Sequence, residues 1–147
     1  MLHLPDYHTT EQTLHVQCEA PRAYFIPYAC EKSALRQNRD ESPYFKNLCG
    51  VWDFRYYPSV HDICDFTAPD FDRTGMDKLA VPMNWQAATD RGYDVPNYTN
   101  INYPFPIDPP HVPDDNPCGL YVRDFTLPKS AAGHEVYLNF EGVDSAF

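Results

Sequence analysis

Basic residues are scarce in this chain, glycine is scarcer, and no long apolar run occurs. Lys and Arg number 11 against 21 Asp and Glu, a formal net charge of −10 with no basic patch to offset it locally. That balance excludes nucleic acid and anionic membranes as partners, because both demand clustered cations. No apolar stretch approaches the roughly 20 residues of a membrane-spanning helix. The opening MLHLPDYHTTEQ has neither the positive n-region nor the apolar h-region of a secretory signal. The 5 cysteines (Cys18, Cys30, Cys49, Cys64, Cys118) are odd in number, widely spaced and free of any CxxC pair. Neither a disulfide framework nor a zinc site fits them. They read as reduced, mostly buried thiols of a cytoplasmic protein. The 6 histidines show no ligand spacing, so no metal site is expected within this chain.

What the chain has instead is proline and aromatic rings. It holds 15 prolines against 6 glycines, and aromatics make up 15% of it. The organising stretch is Val81 to Phe125, VPMNWQAATDRGYDVPNYTNINYPFPIDPPHVPDDNPCGLYVRDF. Proline fixes φ, removes a donor and pushes the preceding residue toward extended conformations. From Pro104 to Pro117 this excludes a helix and makes a central strand untenable. Trp85, Tyr93, Tyr98, Tyr103, Phe105 and Ile107 are nevertheless large apolar anchors, unlike a disordered linker. The stretch is expected to be an ordered, extended loop laid across a β framework, a kind of structure that carries binding residues.

Residues 1–46 hold scattered apolar positions, densest at PRAYFIPY, where flanking prolines dictate an extended segment. Glu31 to Arg39 is the most helix-friendly piece but buries little, so a surface turn or a short helix is expected. Val51 to Tyr57 is the first clear strand, with Trp52, Phe54 and Tyr56 alternating against Asp53 and Arg55. Ser59 with Asp62 caps a short helical turn, Thr67 to Asp72 is acidic loop, and Lys78 to Val81 is a short strand. Beyond the proline-rich loop, Leu120 to Leu127 and Glu135 to Phe140 alternate as a further antiparallel pair joined through Pro128 to Gly133. Trp52, Trp85, Tyr121, Phe125, Val136, Leu138 and Phe140 are the expected core. Glu141 to Phe147 reads as a turn entering another strand, so the sheet is expected to be cut short, as in a fragment of a longer chain, with an exposed edge.

Leu48-Cys49-Gly50-Val51-Trp52-Asp53-Phe54 and Val81-Pro82-Met83-Asn84-Trp85-Gln86 resemble the opening of family 2 glycoside hydrolases. Gly92-Tyr93-Asp94, Tyr98-Thr99-Asn100, Tyr103-Pro104-Phe105-Pro106, Pro109-Pro110, Val112-Pro113, Asn116-Pro117, Gly119-Leu120-Tyr121 and Phe140-Glu141-Gly142-Val143-Asp144-Ser145-Ala146-Phe147 continue it in order. Together they are similar to the long, LacZ-type β-galactosidases over residues 47 to 147. The longer loop from Ala87 to Arg91 departs from the family pattern. The resemblance implies an all-β fold, a jelly-roll (galactose-binding-like) antiparallel β-sandwich over 47–147 with an extended amino-terminal arm over 1–46. It implies a cytoplasmic enzyme, homo-oligomeric when full length, that hydrolyses terminal β-D-galactose with retention. Its acid/base and nucleophile glutamates would lie in a barrel outside this chain, since a barrel alone needs about 250 residues. Mg and Na go with the full-length enzyme on the same resemblance, and none with this chain.

No catalytic residue is expected here, and Glu135 and Glu141 read as solvated surface positions. The resemblance implies a substrate contact at Asn100, whose amide offers donors and an acceptor to sugar hydroxyls. Its alternative is a turn cap. Ile101 would add a backbone or apolar contact at the same rim. Trp85 reads as core rather than a sugar-stacking ring. Two other classes stay open beside the enzyme domain: a free-standing carbohydrate-binding module, and a structural piece at a subunit interface.

Overall fold

A computed structural model of the chain describes residues 7–10, 12, 15–97, 100, 103 and 105–144. Its regular structure is almost all β. Strands β1 (Gly50–Tyr57), β2 (Asp77–Val81) and β3 (Cys118–Val122) form one antiparallel sheet in the order β2-β1-β3. Among the described residues the longest helix is α1, Glu31–Ala34, a single turn. The chain divides into two compact units, one of residues 1–16 with 49–123 and one of 17–48 with 124–147.

The first unit is built on β1, whose alternation sets both faces of the sheet. Directly opposed residues in an antiparallel pair share a face. The register sets Trp52 against Leu79, Phe54 against Asp77 and Tyr121, and Tyr56 against Gly119. The chain after β2 then folds over that face. A one-turn 3-10 segment, Trp85–Ala87, brings the Trp85 ring 6.0 Å from Phe54 and 6.2 Å from Tyr56. Tyr93 lies 5.0 Å from Phe54, edge-on, and stacks on Tyr56 at 5.6 Å. Tyr121 closes the cluster 4.7 Å from Phe54. Phe54 is left with no solvent exposure.

The opposite face, with Asp53, Arg55 and Tyr57, is covered by residues 58–76. Ser59 caps the turn Val60–Asp62, its hydroxyl accepting from the His61 amide, as its sequence context predicts. Ile63 is buried, and the Tyr57 hydroxyl meets Cys64 Sγ at 2.9 Å. Arg55 donates to the Thr74 carbonyl at 3.0 Å and sits over the Phe71 ring. Asp53 pairs with Lys78 and, at 3.8 Å, with Arg73. A three-stranded sheet is thus covered on both sides by non-repetitive chain.

The second unit is held differently. Among the described residues, none of the buried apolar side chains, Phe54, Tyr57, Ile63 and Leu79, belongs to it, and its buried residues are Ser33 and Ser42. Ser42 donates to the Pro27 carbonyl at 2.6 Å and accepts from the Tyr44 amide. Arg39 grips the Glu141 carboxylate with both terminal nitrogens, at 2.6 and 3.3 Å, and the Tyr24 hydroxyl donates to the same group. Arg22 lies over the Tyr137 ring, and Tyr44 meets His134 edge-on.

Several expectations are corrected here. Glu135 to Phe140 is not a strand, and Val136, Leu138 and Phe140 are exposed rather than core. Alternation made them candidates, but no described strand lies beside them to supply a ladder. The strand expected from Leu120 to Leu127 runs instead from Cys118 to Val122. It stops where Arg123 turns its guanidinium to the Cys49 carbonyl, 2.9 Å away, and over the Trp52 ring; Phe125 is exposed. Trp52, Trp85 and Tyr121 are half-buried. None of the five cysteines is in a disulfide, but Cys18, Cys30, Cys49 and Cys64 are exposed and Cys118 is half-buried rather than mostly buried as expected, because aromatic rings fill the interior.

Gly119 admits the cluster. A Cβ there would stand 2.5 Å from the Trp85 ring and 2.7 Å from Phe54. Gly119→Ala therefore forces either ring or strand to move and is expected to destabilise the chain by about 1–3 kcal/mol, as overpacked cores do. Thermal or urea unfolding of the variant checks it; an unchanged midpoint would remove this contact from the account of the core.

Candidate functional site

The aromatic cluster is also the footing of the proline-rich loop. Tyr93 donates its hydroxyl to Asp77 of β2, and Arg91 approaches the same carboxylate at 3.4 Å. Desolvation, with the acceptor carboxylate of Asp77 behind it, pushes the Tyr93 phenol up to about 12. Asp94 accepts from the Val95 amide at 2.8 Å, and the Asn97 amide donates to the Val95 carbonyl at 3.4 Å. At its far end the loop is tied back by Ser59 Oγ to the Asp114 carbonyl and by the Val60 amide to the Asn116 carbonyl, both at 2.9 Å. Between these ties a bridge joins Asp108 and His111. As expected, no helix or sheet strand forms between the prolines from residue 105 to 117.

Asn100 stands in a turn on this loop and is exposed. Ile101 lies outside the described residues. Trp85 belongs to the aromatic cluster, not to an open platform: its indole nitrogen is buried without a partner among the described residues. The anchors Tyr103 and Ile107 do not pack as expected. They are 55% and 77% exposed, while Phe105 is half-buried and meets Tyr103 edge-on at 4.9 Å. The sequence marked these rings as apolar; only the geometry shows Tyr103 turned to solvent.

Two shallow grooves are present. One of about 460 Å³ in the second unit is lined by Ser42, Pro43, Phe45, Lys46 and the 126–128 segment with Ser130. One of about 670 Å³ in the first unit is lined by Thr9, Thr10, Gln12, Pro109 and Pro110. Of the two glutamates weighed for catalysis, Glu141 is held below the usual carboxylate range by Arg39 and Tyr24, opposite to what a general acid needs. Glu135 accepts from the Tyr137 hydroxyl at 2.6 Å. Among the described residues no group of three or more His, Cys, Asp or Glu is placed to hold a metal ion, and no helix is long and apolar enough to cross a membrane.

The sheet and its proline-rich loop leave several fold families open, and comparison with known proteins decides among them. Residues 45–147 match the family model described as glycosyl hydrolases family 2, sugar binding domain, and the chain belongs to that family. It is 48% identical over 145 residues to a β-galactosidase of Actinobacillus pleuropneumoniae, covering 97% of this chain and 13% of that relative. A β-galactosidase of Priestia megaterium is 34% identical over 149 residues, 97% of this chain and 14% of the relative. One from Yersinia pestis is 44% identical over 107 residues, 72% of this chain and 10% of the relative. The chain thus spans between a tenth and a seventh of the length of these relatives.

The Tyr93 anchor has a pH signature. Its phenol ionises higher in the folded chain than in the unfolded one, so its contribution is fully present below about pH 10 and is lost as pH rises through about 12. Tyr93→Phe is expected to lower stability at neutral pH and to make the alkaline decline between those limits shallower. Melting temperatures of both proteins across that range test this; parallel curves would separate the Asp77 contact from folding.

Proposed function

We propose that this chain is the amino-terminal sugar-binding domain of a β-galactosidase that removes terminal non-reducing β-D-galactose, from lactose-type substrates, by a retaining mechanism. The observation that carries the reading is similarity to β-galactosidases along 97% of the chain, at up to 48% identity. In this reading residues 47–147 contribute to a jelly-roll, 1–46 form an arm, and the two catalytic glutamates lie in a barrel outside the chain. In this reading Mg and Na go with the full-length enzyme, and none with this chain. The location is cytoplasmic. Exposed Tyr24, Phe25 and Leu35 favour an additional role for the 17–48 segment in contacts with other domains or subunits of a homo-oligomer.

Asn100 is the substrate-binding residue of this domain, with Ile101 beside it at the rim. Asn100 is exposed, and Pro96 and Pro104 in the sequence around it restrict the backbone. The loop offers hydroxyls an amide, a donor and acceptor together. No nucleophile or acid/base acts from this chain.

Two outcomes test the reading. The purified 147-residue chain should not hydrolyse a chromogenic galactoside; turnover that survives removal of host enzyme overturns the assignment of catalysis elsewhere. In the full-length enzyme, Asn100→Ala should lower kcat/KM by an amount corresponding to about 0.5–1.5 kcal/mol, one hydrogen bond to an uncharged hydroxyl. Melting should be unaffected, because Asn100 is exposed. Unchanged kinetics would return Asn100 to the turn, and a collapsed melting temperature would make it structural.

A further inference from the structure

We propose that the groove of the second unit, between residues 42–46 and 126–130, binds small amphipathic carboxylates, Lys46 taking the carboxylate and Phe45 and Leu127 the apolar body. It does not depend on the galactoside reading, whose contact residues lie in the other unit. The first observation is an account of the cations. With 21 acidic residues against 11 basic ones, a cation left without a partner is the unexpected state. Among the described residues every arginine is committed. Arg36, Arg39, Arg73 and Arg91 pair with carboxylates, Arg55 and Arg123 donate to carbonyls, and Arg22 covers the Tyr137 ring. Lys78 pairs with Asp53. The ammonium groups of Lys32, Lys46 and Lys129 have no such partner among the described residues. Lys46 lines the groove, and Lys129 falls in sequence between Pro128 and Ser130, which also line it. The uncommitted positive charge of this acidic chain thus gathers at one groove.

The second observation is that the walls are tied in place. Ser42, 4% exposed, donates to the Pro27 carbonyl at 2.6 Å and accepts from the Tyr44 amide at 3.1 Å, which fixes the turn at 42–44. Ser130 donates to the Pro43 carbonyl at 3.4 Å and so joins the two walls. The Arg39 guanidinium lies 5.0 Å from the centre of the Phe45 ring, which is half-buried. The groove holds about 460 Å³, and no carboxylate lines it; sites for small molecules hold roughly 300–1,000 Å³. An ammonium beside an apolar floor favours a ligand with both parts, an anionic head and a body that gains from leaving water. Lys46 is exposed, and an ion pair open to water is weak. The affinity is therefore on the order of 1 mM, shared between head and body.

Isotope-edited NMR on the 147-residue chain tests this, with 3-phenylpropionate, the neutral 3-phenylpropionamide and acetate as probes. The phenylpropionate should shift signals of residues 42–46 and 126–130. The amide should bind the same residues about threefold more weakly, the size of an exposed ion pair, and salt at about 1 M should erase the difference. Acetate, which has no apolar body, should leave these signals in place. Lys46→Gln should remove most of the preference for the acid, whereas Lys32→Gln, at a lysine that does not line the groove, should leave it unchanged. Leu127→Ser should weaken acid and amide alike, and circular dichroism should show the fold of each variant unchanged. Equal binding of acid and amide by the wild-type chain, or a preference unaltered by Lys46→Gln, overturns the role of Lys46 and with it the proposal. Shifts scattered outside the groove, equal shifts with acetate, or no binding overturn the site itself.

Discussion

Everything described in the first unit depends on the burial of one ring. Phe54 lies at the middle of the central strand, opposed on one side by Asp77 and on the other by Tyr121, and among the described residues it is the one large side chain with no exposure. Trp85, Tyr93 and Tyr121 pack around it, with edge-on and tilted ring geometries that satisfy the aromatic quadrupoles better than face-to-face stacking. The same contacts fix where the chain leaves β2, because both Trp85 and Tyr93 come from the segment that follows it. Packing and loop placement are therefore one event: the residues that complete the core also set the start of the path toward Asn100.

What could be read from the sequence follows the strength of local signals. The alternation from Val51 to Tyr57 located β1 to within a residue, because three aromatic side chains on one face have few alternative explanations. Lys78 to Val81 and the Ser59 turn were legible for similar reasons, a short alternating run and a cap with its acceptor in place. The strand at Glu135 to Phe140 was not. Alternation states what a segment would do if a neighbour were available, and availability is a property of the whole chain. Phe125 illustrates the same limit, since the strand ends at Val122 and leaves its ring exposed. At the site, composition marked the loop but could not separate buried from exposed rings. Trp85 and Tyr103 look equivalent as apolar letters, and their neighbours Gly119 and Phe105 make one core and the other surface.

The two units differ in the forces that hold them. The first has an aromatic interior that excludes water. In the second, Arg39, Glu141, Tyr24 and Arg22 make contacts that solvent can reach or replace, and exposed ion pairs of this type are individually weak. Opening of the second unit is accordingly the lower-energy fluctuation, in the sense that local stability follows buried apolar contact.

The grip of Arg39 on Glu141 joins positions separated by 102 residues, and all of 49–123 lies between the two halves of that unit. Before 49–123 condenses, closing such a long loop to make one exposed ion pair carries an entropic penalty that the pair cannot offset. Once that intervening stretch has folded, its ends are fixed and the remaining search is short. Assembly is therefore ordered in time as well as in space: the aromatic unit forms first, and residues 17–48 and 124–144 come together only on its completion.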